Sequence, residues 1–586
     1  MNKKRAKGTQ MKGIQKANVS KKEYPRPQFA RKDWVNLNGE WDFEFNGVRS
    51  KILVPFCPES KLSGIGFTGF IESCRYKRSF ELPDSFAGKR IFIRFGAVDY
   101  TARLYINSQF IGGHTGGFSP FSFEITDALR KGGNLIELNV EDGVGPAQPR
   151  GKQSIKTESY GAFYTRATGI WQTVYIEAVP QSFIKSVRFF PDIDKTTLTA
   201  LAQTEGAGDL EIEVSYGGRR VGYAKTASDG RAEVEIKLSE RHLWEAGKGR
   251  LYDVVLRFGG DVVESYFGLR SVGFKDGKFL LNGKPLFQRL VLDQGYYPDG
   301  VFTAPDEAAF IKDIKISMDL GFNGARLSQK VFEPRALYNC DRLGYLTWGE
   351  FGDWGMDYTD ESNLPALLAQ WLEAVERDFN CPSVITWCPL NETWGREYDK
   401  LKMRSAELVR ALYRATKALD PARPCVDSSG GLHIDETDMY DVHNYEQDPV
   451  IFRNDCEMLF KDGSDPVLKQ LAAGFPGLDY KYDGKLPVMV SEYGGCKFGD
   501  DKESWGYGGQ PVTEGEFLKR YTDLTKTIMS DKRITGFCYT QIYDVEQEKN
   551  GLYKYDRTKK FNDSVYKGIA ECNRAPAAIE KDKRNG

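Results

Sequence analysis

The chain has 586 residues, too many for one hydrophobic core, so we expect roughly three or four domains. Its 81 Lys and Arg balance 82 Asp and Glu, and this formal charge of -1 gives no electrostatic reason to expect a nucleic acid or an anionic membrane as a partner. No run of about 18 apolar residues occurs, so we predict no membrane-spanning helix.

The N-terminal segment 1–23 is basic and polar and lacks the apolar stretch of a signal peptide. We expect a disordered tail there, a second short tail at 576–586 and a cytoplasmic protein. The ten cysteines form no Cys-x-x-Cys pair, and the four histidines have no His-x-x-x-His spacing. We therefore predict buried free thiols, no metal site and no cofactor.

From 24 to 181 the sequence has the pattern of short strands. Apolar and polar residues alternate at Trp41–Phe45 and nearly do so at Ala102–Ile106, and Ile91–Phe95 is a more apolar strand, with glycine and asparagine turns between them. This spacing predicts a β-sandwich of jelly-roll type. Gly112–Phe118 is rich in glycine but has neither the GxGxxG spacing nor a following helix, so we expect a turn and not a phosphate-binding loop.

A second β segment extends from 182 to 273. Leu210–Val214, Ala232–Ile236 and Tyr252–Leu256 have strand patterning, and Gly217-Gly218 is a turn signal between the first two. The size and the pattern predict an immunoglobulin-like β-sandwich that serves as a scaffold.

From 274 to 575 apolar strands alternate with longer amphipathic stretches, which is the pattern of βα units and predicts a catalytic (β/α)8 TIM barrel. The predicted strands lie at 286–291, 323–327, 345–349, 384–390, 424–427, 439–443, 487–491 and 535–540. Predicted helices lie at Asp306–Leu320, Leu364–Phe379, Tyr398–Leu419 and Thr513–Met529.

Two of these strands end in a glutamate. Asn391-Glu392 follows the fourth predicted strand, and Ser491-Glu492-Tyr493-Gly494 ends the seventh. The active site of a barrel forms at the carboxyl ends of its strands, so both side chains would face one pocket. Either glutamate alone could equally be a salt-bridged carboxylate. Together they suggest glycoside hydrolysis, which uses a pair of carboxyl groups.

These motifs resemble those of glycoside hydrolase family 2, the family of β-galactosidases, β-glucuronidases and β-mannosidases. The resemblance extends over nearly the whole chain, and six further segments are similar to the family pattern: Leu37–Trp41, Gly112–Phe118, Thr168–Gln172, Tyr266–Arg270, Asn282–Pro285 and Gly321–Ser328.

The resemblance implies a role for each matched residue. Glu392 would be the general acid/base and Glu492 the nucleophile of a retaining double displacement. Asn391 would bind the sugar 2-hydroxyl, Arg326 would orient Glu492 and keep it ionised, and Tyr445 would touch the nucleophile. A structural salt bridge for Arg326 and simple packing for Tyr445 are the alternatives.

Further substrate-binding candidates lie near the predicted strand ends, and each could instead have a structural role. They are Asp293, Trp348, Trp394, His443, Gln541 and Glu546, with Glu350, Asp353, Trp354 and Asp544 as additional pocket residues.

One departure from the family bears on specificity. β-Glucuronidases carry an Asn-x-Lys pair that grips the sugar carboxylate, whereas this chain has Glu548-Lys549-Asn550. A glutamate would repel a uronate, so the sequence favours a neutral glycone.

The sequence therefore predicts a retaining exo-β-glycosidase, with β-galactosidase as the leading activity, acting on an oligosaccharide or small glycoside. Alternatives within the family are a β-galactofuranosidase or arabinofuranosidase, a β-mannosidase and a β-glucuronidase. The alternative of another class is a catalytically inactive carbohydrate-binding protein. We expect no nucleic acid or membrane partner, and a homo-oligomer is possible.

Overall fold

The computed structural model describes residues 21–145, 147–393, 395–396, 399–465, 468, 481–499 and 501–584. The N-terminal part is a β-sandwich, as predicted. Its six-stranded sheet has the order Val48–Val54, Gly39–Phe45, Ser73–Phe80, Asn134–Glu141, Thr101–Ile106 and Gln109–Thr115. The facing sheet has the order Trp34–Asn36, Val174–Val179, Arg90–Phe95 and Phe121–Glu124, and Val98–Asp99 pairs with Gly169–Ile170.

The alternating sequence pattern explains this packing. In Gly39–Phe45 every second residue is buried, so Trp41, Phe43 and Phe45 point into the core between the sheets while the polar residues face outward. The turn predicted at Gly112–Phe118 was wrong in part, because Gly112 and Gly113 belong to the edge strand Gln109–Thr115. A side chain at Gly112 would meet the Phe123 ring at 2.5 Å, which explains the glycine there.

The middle part is a second β structure with its own apolar core. Its strands are Phe183–Asp192, Thr197–Tyr216, Arg219–Lys237, Tyr252–Phe258 and Asp261–Phe267. The long strand Thr197–Tyr216 pairs with Phe183–Asp192 along its first half and with Tyr252–Phe258 along its second, and its pairing with Arg219–Lys237 is irregular between Gln203 and Ala207. The β character is as predicted, and the finer immunoglobulin-like assignment stays a prediction.

A small sheet of Val272–Lys275, Lys278–Leu281 and Lys284–Pro285 leads into the TIM barrel. The barrel strands, in spatial order and all parallel, are Val384–Cys388, Leu346–Glu350, Gly324–Leu327, Gln288–Asp293, Ile534–Tyr539, Val488–Tyr493 and Tyr440–Asn444. The α-helices described are Glu307–Asp319, Pro334–Leu343, Leu364–Asp378, Ala406–Leu419, Pro449–Asp462, Glu514–Ser530 and Asp563–Arg574.

The strand predicted at 424–427 is not continuous. This segment takes the remaining place in the barrel through single bridges, Trp387 with Cys425 and Asn391 with Ser429. Side chains interrupt the ladder on its other side, where Asp438 Oδ2 accepts from the Cys425 amide at 2.8 Å.

The helix predicted from Tyr398 begins later, at Ala406. Asp399–Met403 instead pairs with Gly395–Arg396 as a short hairpin, and the Ser405 hydroxyl caps the helix by accepting from the Leu408 amide at 3.2 Å. Tyr398 itself lies outside the described residues.

Buried polar contacts join the three parts. Arg31 of the first sandwich donates to Asp261 of the second at 2.8 Å, and Arg270 of the second donates to the barrel carbonyls of Pro382 and Val384 at 2.8 and 2.7 Å.

All ten cysteines are free and, apart from the half-buried Cys456, buried, as the sequence predicts. Among the described residues no helix has the length and apolar character needed to span a membrane.

Candidate active site

The two predicted glutamates lie together at the carboxyl ends of the barrel strands. Glu492 is near the end of Val488–Tyr493, and Glu392 follows Val384–Cys388 with a φ of 51°. An oxygen of Glu392, a ring nitrogen of His443 and an oxygen of Glu492 lie within 4.8 Å of one another.

Glu492 is held by two donors, Arg326 on strand Gly324–Leu327 and Tyr445 just after strand Tyr440–Asn444. Arg326 donates from Nη1 to Glu492 Oε1 at 2.8 Å, and the Tyr445 hydroxyl donates to Oε2. Burial raises the pKa of Glu492, but His443, Arg326, Lys152 and Tyr445 together outweigh it and leave this pKa below its ordinary value. The carboxylate is therefore ionised at neutral pH.

Arg326 connects three sides of the site. Its side chain is completely buried and donates to Glu350 Oε2 at 2.5 Å and to Asn391 Oδ1 at 2.6 Å, in addition to Glu492. Burial acts to lower the pKa of Arg326, but Glu350 and Glu492 raise it well above the ordinary value. The guanidinium thus remains charged and fixes the positions of Asn391 and Glu492 relative to each other.

His443 contacts both glutamates. Its Nδ1 lies 2.7 Å from Glu392 Oε1, and its Nε2 lies 3.5 Å from Glu492 Oε1. Burial lowers the pKa of His443, but the two carboxylates raise it by more, so the pKa is raised. Of the two glutamates, Glu392 is the more open, with 24% of its side chain exposed against 8% for Glu492.

Behind His443 a chain of buried polar groups extends away from the pocket. Ser429 Oγ lies 3.1 Å from His443 Nε2 and donates to Asp441 Oδ2 at 2.5 Å, and Asp441 Oδ1 lies 3.2 Å from His433. Asp427 pairs with the other nitrogen of His433 at 2.7 Å. Although burial lowers it, these two aspartates raise the pKa of His433 to about 9.

Asn391 is buried, and its carbonyl oxygen Oδ1 is taken by Arg326. Its backbone carbonyl accepts from Trp354 Nε1 at 3.0 Å, and its backbone amide donates to Asp353 Oδ2 at 3.3 Å. Burial raises the pKa of Asp353 to about 7, and Gln329 and Tyr358 donate to it. Asn391 is thus oriented through its side-chain oxygen, its backbone carbonyl and its backbone amide.

Aromatic residues that sequence reasoning missed form the rim. Tyr507 stacks on Tyr445 with ring centroids 3.4 Å apart. Trp505 packs edge-on against Tyr507 with ring centroids 5.3 Å apart. Trp505 also donates to the carbonyl of Gly161, in the N-terminal domain, at 2.6 Å. The motif after Glu492 contains no periodic pattern that could have identified these two residues.

Lys152 was also missed. It lies on an N-terminal loop at the barrel mouth, 5.3 Å from the Trp354 ring. The only sequence signal is the Pro-Arg-Gly turn before it.

Trp348 was predicted to bind substrate, and this is wrong. The side chain is fully buried among the apolar residues inside the barrel, and its Nε1 donates to Gln288 Oε1 at 2.9 Å. It lies two residues before Glu350 on the same side of the strand, one layer deeper than the pocket.

Four other candidates already have hydrogen-bond or ion-pair partners within the protein. Asp293 accepts from the Tyr543 hydroxyl and the Gly295 amide, and burial raises its pKa to about 6. Gln541 donates to Asn550 at 2.8 Å, and Glu546 accepts from the Thr165 amide at 3.1 Å. Asp544 pairs with Lys560 at 2.6 Å, and Trp394 lies outside the described residues.

Glu392, His443 and Glu492 are the one group of potential metal ligands among the described residues. Each already has a hydrogen-bond partner within this site, and the charged Arg326 lies 2.8 Å from Glu492, where it would repel a cation. This donor set does not fit a metal well, and the absence of a required metal stays a prediction.

Two family profiles match the chain. "Glycosyl hydrolases family 2, sugar binding domain" matches residues 69–176, and "Glycosyl hydrolases family 2, TIM barrel domain" matches residues 272–494. The chain belongs to glycosyl hydrolase family 2. The predicted family is thereby confirmed.

The proteins similar to this chain include both β-galactosidases and β-glucuronidases. A β-galactosidase of Leuconostoc mesenteroides is 28% identical over 82% of this chain and 46% of its own length, and a β-glucuronidase of Streptococcus agalactiae is 24% identical over 66% of this chain and 70% of its own. This chain spans about half the length of the β-galactosidases that it matches, 46% and 49% in two of them.

The fold is also that of solved family 2 structures. Bifidobacterium dentium β-glucuronidase has a TM-score of 0.77 at 20% identity, covering 94% of this chain and 99% of its own. A family 2 β-galacturonidase of Eisenbergiella tayi has a TM-score of 0.73 at 19% identity, and the match covers 95% of this chain and 98% of that protein's chain.

Proposed function

We propose that this family 2 protein is a retaining exo-β-glycosidase in which Glu492 is the nucleophile and Glu392 the general acid/base. The observation that carries the proposal is the approach of the two carboxyl groups to within 4.8 Å. Retaining enzymes have carboxyl groups about 5–5.5 Å apart, whereas inverting enzymes leave about 6.5–9.5 Å for a water molecule.

In the first step Glu492 attacks the anomeric carbon and forms a glycosyl ester. The bond from that carbon to the leaving oxygen breaks, and Glu392 gives its proton to that oxygen. In the second step Glu392 takes a proton from water, the water oxygen attacks the anomeric carbon, and Glu492 is released as a carboxylate. The free sugar keeps the β configuration.

His443 couples the two glutamates during this cycle. The negative charge of Glu492 is the largest of the influences that raise the pKa of His443, which is hydrogen-bonded to Glu392. Forming the glycosyl ester removes that charge, so the pKa of His443 falls as the ester forms.

Contacts from the N-terminal domain support the exo mode. Trp505 and Gln547 of the barrel both donate to the carbonyl of Gly161, and Phe163 packs on Trp354 at 5.4 Å. These loops close the pocket on one side, which suits a terminal sugar better than the middle of a polysaccharide.

The identity of the glycone, the sugar that the enzyme releases, is a further part of the proposal. The β-galactosidase relatives favour a β-galactoside, while other family 2 relatives and neighbours are β-glucuronidases and β-galacturonidases. The sequence argument against a uronate depended on repulsion by Glu548. In the structure Glu548 is buried and accepts from Tyr164 and Asn550 at 2.5 and 2.9 Å, so it does not present a bare charge to a ligand.

The test is a release assay with nitrophenyl β-galactoside, β-galactofuranoside, α-arabinofuranoside, β-mannoside, β-glucoside and β-glucuronide. We expect Glu492→Gln to lower kcat/KM by at least about a thousandfold, because it removes the group that bonds to the anomeric carbon. Glu392→Gln should lower chiefly kcat, because nitrophenolate leaves with little help from an acid while the attack of water on the glycosyl ester loses its base. NMR of the first-formed sugar should show the β anomer. A folded protein that cleaves no glycoside and is not labelled at Glu492 by activated 2-fluoro glycosides would instead be the inactive carbohydrate-binding protein.

A further inference from the structure

A loop of the N-terminal domain places Lys152 at the mouth of the barrel. Backbone hydrogen bonds hold this loop, from the Gly151 amide to the Gly352 carbonyl and from the Arg150 amide to the Trp354 carbonyl, both 2.9 Å long. Gly151 has a φ of 60°, and a Cβ there would lie 2.2 Å from the carbonyl oxygen of Gln329. Only glycine permits this close approach, so the position of Lys152 is defined by the backbone.

Lys152 differs from the other buried lysines. Three lysines are buried in the described ranges: Lys21, Lys152 and Lys330. Lys21 pairs with Glu333, and Lys330 donates to the carbonyls of Gly295 and Phe302 at 2.5 and 2.7 Å. Lys152 is only 7% exposed, yet no acceptor from the described part of the chain lies within hydrogen-bond distance of its ammonium. A buried ammonium without an acceptor is costly unless a ligand or water supplies one.

The surroundings of this ammonium are those of a ligand site. Its Nζ lies 5.3 Å from the Trp354 ring centroid and 5.8 Å from that of Tyr164. Glu492 and Glu548 are near enough for Lys152 to lower the pKa of each. Neither forms an ion pair with it, because their oxygens already accept from Arg326 and Tyr445 and from Tyr164 and Asn550, respectively.

We propose that Lys152 binds the carboxylate of an acidic, uronic-acid glycone and selects it over neutral sugars. This inference rests on the proposed function, since it places the sugar ring over Glu492. The ammonium supplies up to three donors near the nucleophile, and a carboxylate is the acceptor that gains most from them because Lys152 is only 7% exposed. The barrel lysine of the Asn-x-Lys pair is thus replaced by a lysine from another domain.

The experiment compares kcat/KM for nitrophenyl β-glucuronide and β-galacturonide with that for the corresponding β-glucoside and β-galactoside, in the full-length protein. We expect wild type to prefer a uronide, and Lys152→Met to lower its kcat/KM by about 100-fold, the size of a lost charge-assisted hydrogen bond. The uronide-to-hexoside ratio should fall at least about tenfold. Lys152→Arg should retain an intermediate uronide activity, because it keeps the charge.

Lys156→Met is the matched control. Lys156 is on the same loop but exposed, with its Nζ 4.0 Å from the Tyr160 ring centroid, and its loss should leave both activities as in wild type.

Three outcomes would overturn the inference. Wild type that cleaves a hexoside but no uronide would refute the acidic glycone and leave the proposed function intact. Equal losses on both substrates in Lys152→Met, with the acidic limb of the pH profile moved upward, would mean that Lys152 acts through Glu492. A protein inactive on every glycoside and unlabelled at Glu492 would refute the inference and the proposed function together.

Discussion

Arg326, after His443, lowers the pKa of the proposed nucleophile Glu492. We expect Arg326→Lys to lower kcat/KM by about 100- to 1000-fold, because one ammonium cannot serve Glu350, Asn391 and Glu492 together. Arg326→Met also removes the positive charge that lowers the pKa of Glu492, so it should raise that pKa, and activity should disappear at a higher pH as the solution is acidified. The measurement is the pH dependence of kcat/KM.

Arg414→Lys serves as the control for this substitution. Arg414 pairs with Glu436 on the surface, where the exposed pair contributes little, so its pH profile should match wild type. An unshifted acidic limb in Arg326→Met would contradict the assigned role of Arg326.

The sequence identifies some site residues and not others for a physical reason. Glu392 and Glu492 are found because an apolar strand leads directly to each of them, and the end of a strand is a local feature. Trp348 was misassigned because strand alternation tells which side a residue faces but not how deep it lies. Lys152 has no such pattern, since its place depends on docking between two domains.

The loop that carries Lys152 tolerates no side chain at Gly151. We expect Gly151→Ala to lower activity on the preferred substrate at least about tenfold and to lower the melting temperature, because the new Cβ would collide with a backbone oxygen at 2.2 Å. Activity assays and a thermal melt would measure both effects.

Gly161→Ala is its counterpart on the same segment. Gly161 also has a positive φ, 50°, but a Cβ there would meet nothing within 4 Å. It should therefore show only the modest cost of backbone strain, about 1 kcal/mol. Equal effects of the two substitutions would mean that strain alone, and not the contact with Gln329, matters at Gly151.

Element boundaries were predicted best where periodicity and capping agree. Helix Glu307–Asp319 begins after Asp306, which caps it by accepting from the Ala309 amide at 2.9 Å, within one residue of the prediction. The segment at 424–427 was misassigned because hydrogen bonds to residues distant in the chain interrupt its ladder. The segment at 399–403 was misassigned because it forms a short hairpin with Gly395–Arg396 in place of the first turns of the helix.

The three parts of the molecule are joined by buried polar contacts. Tyr266 of the second sandwich donates to barrel residue Asp341 at 2.7 Å, besides the contacts of Arg31 and Arg270. We expect these contacts to couple unfolding, so that calorimetry of the whole protein gives one transition.

Arg270→Ala should weaken this coupling, because it leaves the buried carbonyl of Pro382 without its donor, at about 1–3 kcal/mol, while the Val384 carbonyl keeps its bond from Arg423 at 2.8 Å. A resolved second transition already in wild type would refute the coupling. Sequence patterns predicted the order of the three parts, but not these contacts, which join residues far apart in the chain.

The attachment of the Lys152 loop uses main-chain atoms of Arg150, Gly151, Gly352 and Trp354. Such bonds do not depend on which side chain follows the glycine. Mutation at position 152 can therefore exchange the group presented to the sugar while the loop keeps its path and the barrel keeps its chemistry. The proposed substrate preference can therefore change, in evolution or in the laboratory, by single substitutions outside the barrel.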